Sequence, residues 1–234
     1  MATRLIRLLL ILTMPLILSS CLFAPGKFTS TLSINADRSF AFSFLGEVIS
    51  VDPSGDMAKG MAGMMANAGK ATTPTPSPTA SAAAKAEADR KNQQIAETLS
   101  KEAGYRKVTY LGDGRFMVDY AIRGTLDHDF VYPFNLDAEA IFPFIALELR
   151  QGGTVRVKAP AFAKGDDKNP MAGMGDTAAS KLDGVFTLDT DAEIVSQNNE
   201  EGVKTVGGRK TITWKATPLT KDAPTAVLRF AGGK

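Results

Sequence analysis

Phe28-Thr29-Ser30-Thr31-Leu32-Ser33-Ile34, Asn35-Ala36-Asp37-Arg38 and Ser39-Phe40-Ala41-Phe42-Ser43-Phe44 follow one another without a break. In the first run Phe28, Leu32 and Ile34 alternate with Thr29, Thr31 and Ser33, the period-two pattern of a strand with one buried face. Asn35 to Arg38 carry turn chemistry, since short polar side chains bond their own backbone. Phe40, Phe42 and Phe44 then resume the alternation, so residues 28–44 read as a β-hairpin. Two readings stand for the three phenylalanines, which share a face: filled core, or candidate ligand contacts lining an apolar cavity.

Downstream, the same alternation recurs. Tyr105–Leu111 and Arg115–Ile122 flank Gly112-Asp113-Gly114, a strong hairpin signal. Residues 125–144 are aromatic but interrupted by Pro133 and Pro143, which confines them to an edge strand or loop. Ile145–Leu149 and Thr154–Ala159 read as a further hairpin around Gly152-Gly153, and Phe186–Ile194 as one long alternating strand. Short strands at 203–206 and 210–216 surround Gly207-Gly208, and Ala226–Phe230 forms the last. Lys85–Ala103 has Ala88, Ile95, Leu99 and Ala103 between charges and Gly104 as a stop, which reads as one amphipathic helix. The sum is an α+β fold, with a mainly antiparallel sheet of about eight strands and one helix, in a single domain over 28–234.

Two stretches break the pattern. Residues 52–84 hold scattered glycines and the run Pro74-Thr75-Pro76-Ser77-Pro78, and residues 160–180 are similar. Segments of this kind bury too little to offset their ordering entropy, so both are expected to be flexible Met/Gly-rich insertions. Each contains the same tetrapeptide, Met61-Ala62-Gly63-Met64 and Met171-Ala172-Gly173-Met174. Soft, unbranched thioethers at these spacings suit membrane or apolar ligand contact. They would also suit copper(I), although no histidine accompanies them.

Upstream of the hairpin, Arg4 and Arg7 precede the apolar run Leu8–Leu18, which is too short to span a bilayer and reads as a secretory signal over residues 1–20. Leu18-Ser19-Ser20-Cys21 follows, and Cys21 is the sole cysteine of the chain. That order resembles the lipobox of bacterial lipoproteins. The resemblance implies cleavage before Cys21, a thioether-linked diacylglycerol on its sulfur and an acylated amino terminus, with residues 21–27 as lipidated end and short spacer. Leu22 after the cysteine favours, by lipoprotein sorting rules, the outer membrane facing the periplasm in a diderm. Beyond residue 20 the chain carries 25 basic and 25 acidic side chains. That balance speaks against nucleic acid as a partner, and the lipid must hold the protein without electrostatic help.

No catalytic set, metal site or cofactor is expected. Asp127-His128-Asp129 contains the sole histidine, but zinc needs three or four ligands, and adjacent residues on a strand face opposite ways. A hydrolase built on His128 lacks a Gly-x-Ser-x-Gly elbow. Trp214, in Ile212-Thr213-Trp214, reads as core or rim.

Taken together, the lipobox, the Phe28–Phe44 hairpin beside it, the later helix and strands, and the Ile212-Thr213-Trp214 strand resemble the LppM-type domain of bacterial lipoproteins. That resemblance implies a small, β-rich envelope lipoprotein without catalysis, with a lipid or other apolar envelope component as ligand. The expectation is therefore a non-enzymatic, membrane-anchored envelope protein. The alternative is an assembly partner that docks on an envelope complex through the strand edge near Pro133 and Pro143.

Overall fold

The computed structural model describes residues 22–51, 78–133, 143–164 and 180–231. Cys21 and the four methionines of the repeated tetrapeptide lie outside the described residues.

Among the described residues there are twelve strands. They are β1 (Leu22–Ile34), β2 (Ser39–Val51), β3 (Tyr105–Gly112), β4 (Arg115–Thr125), β5 (Phe130–Tyr132), β6 (Ile145–Arg150), β7 (Thr154–Lys158), β8 (Asp183–Thr190), β9 (Glu193–Gln197), β10 (Lys204–Val206), β11 (Arg209–Ala216) and β12 (Thr225–Arg229). One α-helix, α1 (Pro78–Leu99), and a short 3-10 turn at Pro160–Phe162 complete the set. The fold is α+β, as expected, but the strands number twelve and divide between two sheets. One has the order β10-β11-β8-β1-β2-β4-β3 and the other β5-β6-β7-β12-β9. All pairings are antiparallel except β1 with β8.

The expected hairpin forms, and it is longer than its alternating pattern. Pairing runs from Ile34↔Phe40 to Leu22↔Val51, with a register shift between Pro25 and Phe28. Residues 22–27 are therefore strand and not spacer; Pro25-Gly26 interrupts the alternation through an irregularity that pairing survives. At the turn, Arg38 takes a positive φ of 72°. Asp37 Oδ1 accepts from the Ser39 backbone N–H at 2.8 Å and from its hydroxyl at 2.6 Å, and these two bonds hold the Asp37 carboxyl below its ordinary pKa.

Three further expectations change. The helix starts at Pro78 and ends at Leu99, displaced from 85–103, because proline is well suited to the first helical position and the alanine-rich run after it continues the helix. Ala88 and Ala103 are exposed; Asn92 and Ala96 are the buried positions. The start of the second insertion also belongs to the core, since Ala161, Phe162 and Ala163 are buried. Finally, the single strand expected over 186–194 is cut between Thr190 and Glu193. The Thr190 hydroxyl accepts the Ala192 N–H at 3.0 Å and Asp191 Oδ1 accepts the Ala36 N–H at 2.7 Å, and the chain crosses from one sheet to the other.

The two sheets pack face to face. The inner face of the seven-stranded sheet presents Phe28, Leu32, Ile34, Phe42 and Phe44 to Tyr132, Phe144, Leu147, Val157, Phe162 and Leu228. Phe28 stacks on Phe162 with centroids 4.3 Å apart, and Phe44 meets Phe144 at 5.5 Å. Helix α1 runs beside β3, where Asn92 and Asp89 bond the Tyr110 hydroxyl, and covers the β4-β3 end of that same inner face. Trp214 is core, stacked on Phe186 at 5.5 Å.

The fit of Phe28 depends on two glycines. A methyl group at Gly184 would overlap its ring, and one at Gly46 would overlap its Cβ and the Lys27 carbonyl. Gly184→Ala is therefore expected to cost on the order of 3 kcal/mol in chemical denaturation, while Gly124→Ala, whose new methyl would meet Phe40 at 3.4 Å, changes stability by under about 1 kcal/mol. Equal effects would contradict this packing. A second expectation concerns Tyr105, Tyr120 and Tyr132, whose rings lie 4.9 and 4.3 Å apart in sequence order. Burial pushes all three phenols up, that of Tyr132 well above its ordinary value of 10.0. The folded protein thus keeps protons that the unfolded chain gives up, so stability is intact below pH about 10 and falls as pH rises beyond it. Tyr132→Phe should flatten that alkaline decline by up to about 1.4 kcal/mol per pH unit; unchanged slopes in denaturant titrations would contradict it.

Candidate functional site: an anchor end and an open sheet face

Leu22 is already paired, opposite Val51 at the end of the long hairpin. Cys21 is the residue before it in the sequence. The attachment point read from the lipobox therefore adjoins a strand that pairs with β2 from Leu22 and with β8 from Lys27 onward. Other features gather at this end. The Ser50 N–H donates to the Gly114 carbonyl at 2.7 Å, which brings the β3-β4 turn alongside. Lys85 bridges Asp113 and Asp89 there, and the two carboxylates, Asp113 foremost, raise its pKa.

The chain outside the described residues also joins here. Residues 52–77 follow Val51 directly. Residues 165–179 follow Lys164, whose N–H donates to the Thr220 carbonyl at 2.9 Å, and they precede β8, whose first residue Asp183 pairs with Lys27. Both segments that contain a Met-Ala-Gly-Met tetrapeptide thus connect at the end of the sheet that carries Leu22. Sequence spacing does not expose this; it follows from the β1-β8 parallel pairing.

The phenylalanines expected as ligand contacts are occupied otherwise. Phe42 and Phe44 are 1 % and 0 % exposed, packed on Tyr132, so they are sandwich core and not an accessible contact surface. Phe40 is partly buried against Phe130 at 5.3 Å. His128 lies at the other end of the molecule, beside the hairpin turn, where Leu126 N–H donates to the Arg38 carbonyl. Its ring bonds the neighbouring Asp127, and both side chains are largely exposed. Asp129 is engaged elsewhere, since its Oδ1 accepts the Leu149 N–H at 2.7 Å. Among the described residues no group of three metal-ligating side chains comes together, and no helix is long and apolar enough to cross a membrane.

The feature that residue patterns alone do not single out is the outer face of the seven-stranded sheet. The five-stranded sheet and α1 both cover its inner face, so Thr29, Thr31, Ala41 and Leu45 remain exposed on the outer one. Its acids are engaged. Asp189 accepts from Arg209, which also donates to Asn35 and Ser33 at 3.1 Å, and the pairing raises the Arg209 pKa. Asp119 pairs with Arg106, and Glu47 with Arg115 at 3.4 Å.

No family model matches this chain, and no curated protein matches it. Among solved structures it is similar to the folded domain of Mycobacterium tuberculosis LppM, determined by NMR, at 14% identity, a TM-score of 0.32, and coverage of 89% of this chain and 92% of that one. At that level the two chains superpose loosely, and no ligand or partner is carried over.

Proposed function

We propose that the protein is a non-enzymatic lipoprotein of the cell envelope, held by lipid on Cys21, that binds a lipid or other envelope component close to the membrane. The observation that carries this reading is the start of β1 at Leu22. A diacylglycerol on Cys21 would leave no tether between membrane and fold, and the sheet would stand on the bilayer by its β1-β2 end. Three acyl chains, at about 0.8 kcal/mol per buried methylene, make such an anchor effectively permanent. The packing of Phe42 and Phe44 favours binding on an outer surface over binding inside the sandwich. A docking role on an envelope complex has support of its own, since β5 is a three-residue edge strand ending at the cis Tyr132-Pro133 bond and edge strands accept added strands.

Cys21→Ser tests the anchor. In cells fed an alkyne fatty acid, the parent protein should label and sediment with membranes, while the variant should lose the label and enter the soluble fraction. Undiminished labelling of the variant would overturn lipidation at this residue.

A further inference from the structure

We infer that the outer face of the seven-stranded sheet is a docking platform for an anionic polysaccharide. The register of the sheet lays out three rows across it. The first is Lys215, Val185, Thr29, Leu45, Asp119 and Lys107; the second is Thr213, Thr187, Thr31, Ser43 and Ala121; the third is Thr211, Asp189, Ser33, Ala41 and Arg123. Strands stand about 4.8 Å apart, so the first row is about 24 Å long.

Three properties of this face select the ligand. The middle row holds no side chain larger than threonine over five strands, so the surface is flat and loses little side-chain entropy on contact. The side-chain hydroxyls of Thr29, Thr31, Ser43, Thr187 and Thr213 make no hydrogen bond among the described residues, and each can both donate and accept, as the hydroxyls of a sugar can. The charge is one-sided in what it leaves over. Asp119 and Asp189 are held by Arg106 and Arg209, whereas the exposed Lys107, Arg123 and Lys215 have no acidic partner among the described residues. These cations lie at the ends of the first and third rows and frame the hydroxyls.

Other occupants fit less well. A protein partner needs aromatic or large aliphatic anchors at the centre of its footprint, and the middle row offers none. A bilayer needs a continuous apolar surface, and here the large exposed apolar side chains, Leu45, Val185, Met117 and Val206, are interrupted by hydroxyl and charged residues. A hydrated chain of hydroxyls with regularly spaced carboxylates or phosphates meets both the hydroxyl rows and the framing cations. The inference rests on the envelope reading for the source of such a glycan.

The test uses the full-length lipidated protein in phosphatidylcholine nanodiscs, with polygalacturonate as probe and neutral dextran and polyglutamate as controls. Polygalacturonate should be retained, dextran not, and polyglutamate weakly. Thr31→Val/Thr187→Val/Thr213→Val keeps β-branching and charge, and should weaken polygalacturonate binding about tenfold through three lost hydroxyls. Lys107→Gln/Arg123→Gln/Lys215→Gln should weaken it at least as much, while Lys101→Gln/Lys181→Gln/Lys221→Gln should leave it unchanged. Failure to retain polygalacturonate, equal retention of polyglutamate, or indifference to the valine triple would overturn the platform. The mass of the purified protein reports acylation separately, so an unlipidated protein that still binds would refute the anchor and leave the platform standing.

Discussion

The structure turns on how β1 is packed. It is the strand that holds the large sheet together, antiparallel to β2 on one side and parallel to β8 on the other. At its centre Phe28 fills the space left by two glycines, Gly46 and Gly184, on those neighbours. The ring reaches through to Phe162 in the 3-10 turn and Phe44 on β2. A buried aromatic of this kind supplies apolar area and fixes the strand register at the same time, because a slip of one residue would turn it to the solvent face. The second sheet and the helix then have a continuous apolar surface to cover.

Much of this is legible in the residues themselves. The 28–44 alternation marks the hairpin correctly, and the Gly112-Asp113-Gly114 turn marks β3 and β4. Periodicity works where one face of a strand is buried and the other wet, which is the situation of every strand in a sheet with one open face. It fails where local and tertiary signals conflict. Leu22–Lys27 contains Pro25-Gly26 and looks like a spacer, yet pairing with Val48–Val51 carries it into the sheet. The 186–194 run alternates without a break, but Asp191 is drawn to the Ala36 N–H and the chain turns into the other sheet. Pro78 closes a proline-rich run and also begins the helix, a dual role that composition does not resolve.

The candidate sites show the same division. That Phe40, Phe42 and Phe44 share a face is plain from their spacing; that a second sheet fills the space in front of them is not, because β5, β6, β7 and β12 are distant in sequence. The outer face is hard to see in the sequence because its threonines and serines are ordinary strand residues one at a time. Only the register, which sets Thr213, Thr187, Thr31 and Ser43 in one line, makes a surface of them. With Leu22 already in β1, the end next to Cys21 and this face belong to one sheet: the proposed lipid on Cys21 would set the sheet's orientation, and the open face would stand above the membrane.

Leu22, the residue after Cys21, already belongs to β1, and amide hydrogen exchange across β1 in the protein with its proposed lipid tests this most directly. If β1 starts at Leu22, the paired amides among residues 22–26 exchange slowly, within about tenfold of those in Phe28–Ile34, since both belong to one cooperative sheet. If residues 22–26 exchange at the rate of an unstructured peptide while 28–34 stay protected, they are a flexible tether, and the sheet does not stand directly on its anchor.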